Sequence, residues 1–214
     1  MGTVAAPSAH AAQVTFEDVG LGFFGDAESF ASGGYTFTQG GSFGGVADSG
    51  TFSLFGNAPT GNASQFYGGF NDSAVTMTRT SGQAHFKLQG LDYGFISAIG
   101  GIYAPGEDPG ALVVSGHGLD GTTYTLLATW GGADGNGEFG FRTIGGADFA
   151  SWGFVDSVSF AACSHDGLGG CVTPFFNLNQ FALDNIAAVP EPGTLALAAL
   201  ALGVAGSLRR RQPR

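Results

Sequence analysis

Cys163 and Cys171 are the only thiols in the 214-residue chain, and they stand eight positions apart in SFAACSHDGLGGCVTPFF. In an oxidising compartment, an even count at short spacing reads as one disulfide closing a small loop. With His165 between them, the same residues could instead hold a metal ion, but no fourth ligand is evident. Carboxylates offer a second chemistry. Glu107 and Asp108 share the turn APGEDPG, and Asp134 and Glu138 flank another loop. A glycosidase needs two such groups at a defined separation across a cleft. Acidic residues are abundant here, so some pairs arise by chance. His10, His85, His117 and His165 fall in no His-x-His or His-Glu-x-x-His pattern and read as surface or loop residues. Gly40-Gly41-Ser42-Phe43-Gly44-Gly45 only loosely resembles a nucleophile elbow and lacks the strand–helix context. There is no phosphate-binding Gly-Lys-Ser/Thr loop. Aromatic rings offer a third chemistry, stacking on sugar faces. Tyr67, Tyr93, Tyr103 and Trp130 each stand near glycine at a strand end or in a loop, where they either contact glycan or cap the core. Trp152 reads as packing on a strand. The chain therefore reads as non-enzymatic, with a hydrolase as the third choice.

The tail VPEPGTLALAALALGVAGSLRRRQPR is more explicit. It holds the triplet Pro190, Glu191 and Pro192, an uncharged apolar run from Leu195 to Leu208, and the cluster Arg209, Arg210 and Arg211. Leu and Ala favour a helix. With Thr194 before it, the uncharged stretch of fifteen residues rises about 22 Å as a helix, short of a hydrocarbon core of about 30 Å, which suits a temporary anchor. Positive charge after the span stays at the cytoplasmic face and leaves the body outside. The tail resembles the PEP-CTERM sorting signal of Gram-negative bacteria, with the triplet, the apolar helix and the basic cluster all in order. The resemblance implies export by the Sec route, transient membrane retention, and processing near the triplet by an exosortase-type membrane protease. It further implies delivery to the cell surface or an extracellular polysaccharide matrix. At the other end, Ala9-His10-Ala11 has the small-x-small form of a signal-peptidase site, which would start the mature chain at Ala12 or Gln13. No apolar stretch or basic residue precedes it, so residues 1–12 read as a signal-peptide remnant.

Between these ends lies one domain, 13–188, followed by the sorting tail at 189–214. Arg79, Lys87 and Arg142 are its only basic residues, against all but one of the 17 acidic residues, a net charge of about −13. Such a surface repels nucleic-acid phosphates and attracts divalent cations. Short apolar–polar alternations predict strands near 13–17, 34–38, 51–55, 74–79, 84–88, 111–115, 122–129, 137–143, 152–160 and 179–187. Ser81-Gly82 predicts a hairpin between the fourth and fifth. No stretch before residue 190 keeps a helical period free of glycine. The fold class expected is an all-β antiparallel sandwich. The 20 phenylalanines would fill the space between sheets and the 39 glycines would allow tight corners.

Three stretches carry a second resemblance, to the jelly-roll domains of exported bacterial proteins and carbohydrate-binding modules. They are VTFEDVG from Val14, FKLQGLDYGFISAIG with LVVSGHGLDGTTYTLLATW, and SWGFVDSVSF with NQFALDNIAAV. The likeness implies that the first and last strands lie together. Glu17 and Asp18 would then meet Asp184 and Asn185 and could hold a structural calcium, which takes six to eight oxygens. The function expected is a structural or adhesive surface component associated with exopolysaccharide, with a carbohydrate-binding module as the alternative.

Overall fold

A computed structural model describes residues 11–80, 85–166, 168, 170–172 and 178–191. The strands, numbered in chain order, are all antiparallel and form two walls. One wall runs β3 (Ser29–Ser32), β4 (Tyr35–Gly40), β7 (Ala74–Arg79), β12 (Val155–His165), β9 (Gly110–Gly118) and β10 (Thr123–Thr129). The other runs β2 (Gly22–Gly25), β5 (Phe43–Ala47), β6 (Phe66–Phe70), β14 (Phe181–Pro190), β8 (Phe86–Phe95) and β11 (Arg142–Ile144). β1 (Ala12–Val14) extends the second wall along β14, and β13 (Cys171–Val172) flanks the end of β12. The walls touch through one strand pair, Val155↔Phe86, where β12 carries an irregularity. The result is the antiparallel sandwich that the alternation predicts, nearly closed on itself.

Period-two patterning builds the core. In β4 and β7, Tyr35, Phe37, Val75 and Met77 point inward, while the threonines between them are half-buried. They meet Phe86, Leu88, Leu183 and Ile186 from the facing wall. Phe16, Phe30, Phe37 and Tyr67 form a ring cluster at the centre, with Phe30 and Phe37 stacked at 5.3 Å and Phe16 edge-on to Phe37 at 5.2 Å. β5 and β6 are buried on both faces. Their outer face carries a second cluster of Ala47, Phe52, Phe66, Phe70, Ile96 and Ala182.

That second cluster overturns one expectation. Residues 51–55 are not a strand, because Ser49–Phe52 forms one helical turn, α1. Its cap is Asp48, which accepts the Thr51 amide at 2.7 Å. The turn lowers Phe52 onto the outer face of β6. The hairpin at Ser81-Gly82 is corrected as well. β7 pairs with β4 and β12, and β8 with β14 and β11, so the two alternating segments face each other across the core instead of pairing side by side. The Ser81-Gly82 tip itself lies outside the described residues. The strand expected at 137–143 reduces to β11, and Phe16, at φ +59°, ends β1 early. β2, β3, β5 and β6 were not expected.

The disulfide Cys163–Cys171 is present, with the Cα atoms 5.6 Å apart. It joins the end of β12 to β13. Replacing both cysteines by alanine is expected to cost about 2–3 kcal/mol, because the closed loop is short. Calorimetry should then read a fall of about 2–4 °C per kcal/mol for a domain of this size. An unchanged midpoint would show that the loop needs no clasp.

Candidate functional site

The densest side-chain polar network lies where β14 bends. Register shifts between Asp184 and Ala187, and Asn185 takes a left-handed conformation at φ +49°. β6 pairs with β14 before this bulge and β1 pairs after it, so both strands share one edge with a gap between them. Asn185 bonds to the strands on both sides of β14, β8 and β1. Its Nδ2 donates to Asp92 Oδ2 at 2.8 Å, and its Oδ1 accepts from Gln13 Nε2 at 3.0 Å. Asp92 Oδ1 accepts from Thr143 Oγ1 at 2.6 Å. An open groove of about 400 Å³ lies over these residues, with Gly90 and Gly145 in its lining. A Cβ at Gly90 would stand 2.8 Å from the Ile144 carbonyl oxygen, so the close approach of β11 requires glycine there.

Asp184 sits behind the network, 1% exposed. Its Oδ2 accepts from Asn62 Nδ2 at 2.7 Å and Ser64 Oγ at 3.2 Å, and its Oδ1 accepts from the Asn185 amide at 2.8 Å. Burial nonetheless pushes its carboxyl above the ordinary value, against the opposing pull of those donors, and the neighbouring Asp92 charge adds to the rise. The sign for stability follows. A raised carboxyl favours the folded state most when protonated, and this contribution fades as pH climbs through the folded value. Asp184→Asn keeps an acceptor for Asn62 without the charge. The variant is expected to lose this term, so its stability relative to the parent should rise as pH increases above about 4. Thermal unfolding across that range checks it, and a flat difference would show that Asp184 does not titrate differently on folding.

The calcium candidates engage different partners. Asp18 accepts from Ser32 Oγ and from the Gly33 amide, and these bonds, Ser32's first, hold its carboxyl below the ordinary value. Glu17 accepts from the Gln65 amide at 2.8 Å. The 62–65 segment thus stands between Glu17 and Asp184, bonding to one through Gln65 and to the other through Asn62 and Ser64. The first and last strands do lie together, as Val14↔Ile186 shows. Thermal unfolding with calcium and with chelator tests the cation directly, and equal midpoints would remove it.

The glycan candidates are corrected by burial. Tyr67, Tyr93 and Trp130 are in the core, 0–5% exposed. Tyr67 donates to Gln39 Oε1, and Tyr93 to the Thr129 carbonyl at 2.9 Å. Burial raises both phenols above the ordinary value, Tyr67 the further. Tyr103 is half-buried and packs edge-on against Phe95 and Phe139. Sequence reasoning saw glycine beside these rings as a sign of loops. The glycines instead make room for close packing.

The remaining candidates serve local turns. Glu107 accepts from the Ala104 amide, Asp108 from Gly110 and Gly131, and Asp134 from Asn136 and Glu138. His165 Nε2 lies 3.7 Å from Asp108, and His117 Nδ1 lies 2.9 Å from Asp156 on an exposed edge. Of the sorting residues, Pro190 ends β14 and Glu191 follows it. Pro192, Arg209, Arg210 and Arg211 lie outside the described residues. Among the described residues, no helix is long and apolar enough to cross a membrane.

The last strand of this acidic antiparallel sandwich runs directly into the Pro-Glu-Pro triplet. Residues 188–212 match the PEP-CTERM protein-sorting motif. The chain is accordingly an exported protein that transits the membrane, sorted through this signal and processed by an exosortase. No curated protein matches it. A solved structure described as a cyclase from Fischerella sp. TAU is similar over 86% of this chain and 98% of that one, with 14% identity and a TM-score of 0.40.

Proposed function

We propose that the protein is a structural or adhesive component of the cell surface or matrix, associated with exopolysaccharide. The observation that carries this reading is the direct run from the last core strand into the sorting triplet, at Pro190 and Glu191. Such a joint keeps the start of the triplet part of the sandwich. The excess of carboxylates on that body supports the reading, because it keeps an exported domain soluble and open to cations that bridge acidic polymers. The test is deletion of the gene in the native host, with surface attachment and retained polysaccharide measured beside a complemented strain. Attachment and retention equal to those of the parent would remove this role.

A carbohydrate-binding role is the second reading, and the groove at the β14 bulge supports it. Its lining includes Gln13, Asp92, Thr143 and Asn185. Amides, a hydroxyl and a carboxylate are the donors and acceptors that sugar hydroxyls take. A glycan array run with and without calcium tests it on the full chain. A binding signal that survives Asp92→Ala would place the sugar elsewhere.

A further inference from the structure

The sorting triplet has only one backbone N–H, because proline has none. That donor belongs to Glu191, and it is already used: the Glu191 amide donates to the His85 carbonyl at 2.8 Å. The three rungs before it are in register. Ala188 lies opposite Leu88, Val189 opposite Lys87 and Pro190 opposite Phe86. On the other side of β14, Ala12 lies opposite Ala188. The start of the triplet is therefore the final rung of the second wall and not a free linker.

We propose that the fold itself gates processing of the tail: the protease can engage the triplet only when the end of β14 peels away from β8. A protease commonly reads its substrate as an extended strand through main-chain hydrogen bonds. The single N–H of the triplet cannot serve His85 and the protease at once. Strand ends open locally at far less cost than the whole domain, so the gate is a fraying step with its own equilibrium. A sandwich whose last strand has not yet docked leaves the triplet open, whereas a docked one slows the cut. This inference rests on the sorting reading of the tail.

Lys87 and Val189 allow a direct test. They are register partners and both are half-buried, while Phe86, Leu88 and Ala188 beside them are buried in the core. Paired Cα atoms of an antiparallel ladder fall within disulfide range. The full-length Lys87→Cys/Val189→Cys protein, expressed in the native host, should oxidise and clamp the strand. Tail removal, followed by mass spectrometry, is expected to slow by about tenfold or more, and reduction should restore it. The Lys87→Cys single variant should be processed like the parent. A clamped protein processed at the parent's rate would overturn the gate. A parent that is never processed would instead sink the sorting reading, so the two failures are distinct. Should the double variant fail to fold, hydrogen exchange on the purified parent still decides. The Glu191 amide is expected to exchange at least about tenfold slower than an open peptide, and exchange at the open rate would overturn the proposal.

Discussion

A chain cut after Pro192 is expected to vanish from the membrane fraction and be recovered entirely as soluble exported protein. The missing run holds Leu195, Leu197, Leu200, Leu202 and Leu208. At about 1.5–3 kcal/mol for each buried leucine, these side chains supply about 10 kcal/mol of membrane affinity. That corresponds to roughly seven powers of ten in partitioning. Among the described residues, no helix is long and apolar enough to cross a membrane. Fractionation of the truncated and full-length chains checks the effect, and retention of the truncated chain would assign the anchor to the sandwich. In the native host, the full chain is expected to lose the segment after the triplet. Mature protein ending at Arg214 would contradict that.

The largest effect on stability is expected at Phe37. The ring is fully buried, stacks on Phe30 and receives the edge of Phe16. Phe37→Ala would remove those contacts and leave a cavity, costing about 3–5 kcal/mol. A domain of this size holds only about 5–15 kcal/mol in total. Denaturant unfolding should therefore show the midpoint falling by about a fifth or more. A loss below about 1 kcal/mol would mean that the walls close over the gap.

What the sequence made legible was what repeats with a period of two and ends in a charged tail. YTFTQ and AVTMTR alternate because one face meets the core and the other does not, and both are strands at nearly the expected positions. GFFG, FGGVA and FYGGF were missed for the same physical reason in reverse. Their glycines carry no side chain to mark a face, and β5 and β6 are buried on both sides, so no alternation remains. The segment TFSLF alternates as a strand would, yet Asp48 caps it into a turn, a local bond that hydropathy does not register. The polar network was half legible. Asp184 and Asn185 stood out on the last strand, but Asp92 and Thr143 come from β8 and β11, and only strand order brings them together. Partner choice failed similarly at Ser81-Gly82, where the turn residues are compatible with pairing and the topology is not.

The placement of β14 also fixes how the domain answers a pull. While the tail is still attached, a pull on it away from the sandwich would load β14 along its own axis. Its ladder with β8 runs from Phe181↔Phe95 to Pro190↔Phe86, and β6 and β1 grip the opposite edge. Antiparallel ladder bonds lie across the strand, so an axial load strains them all in shear and none can yield alone. The same tail pulled sideways would open the rungs one at a time from Glu191. The end of β14 thus holds better against a pull along the strand than against one across it.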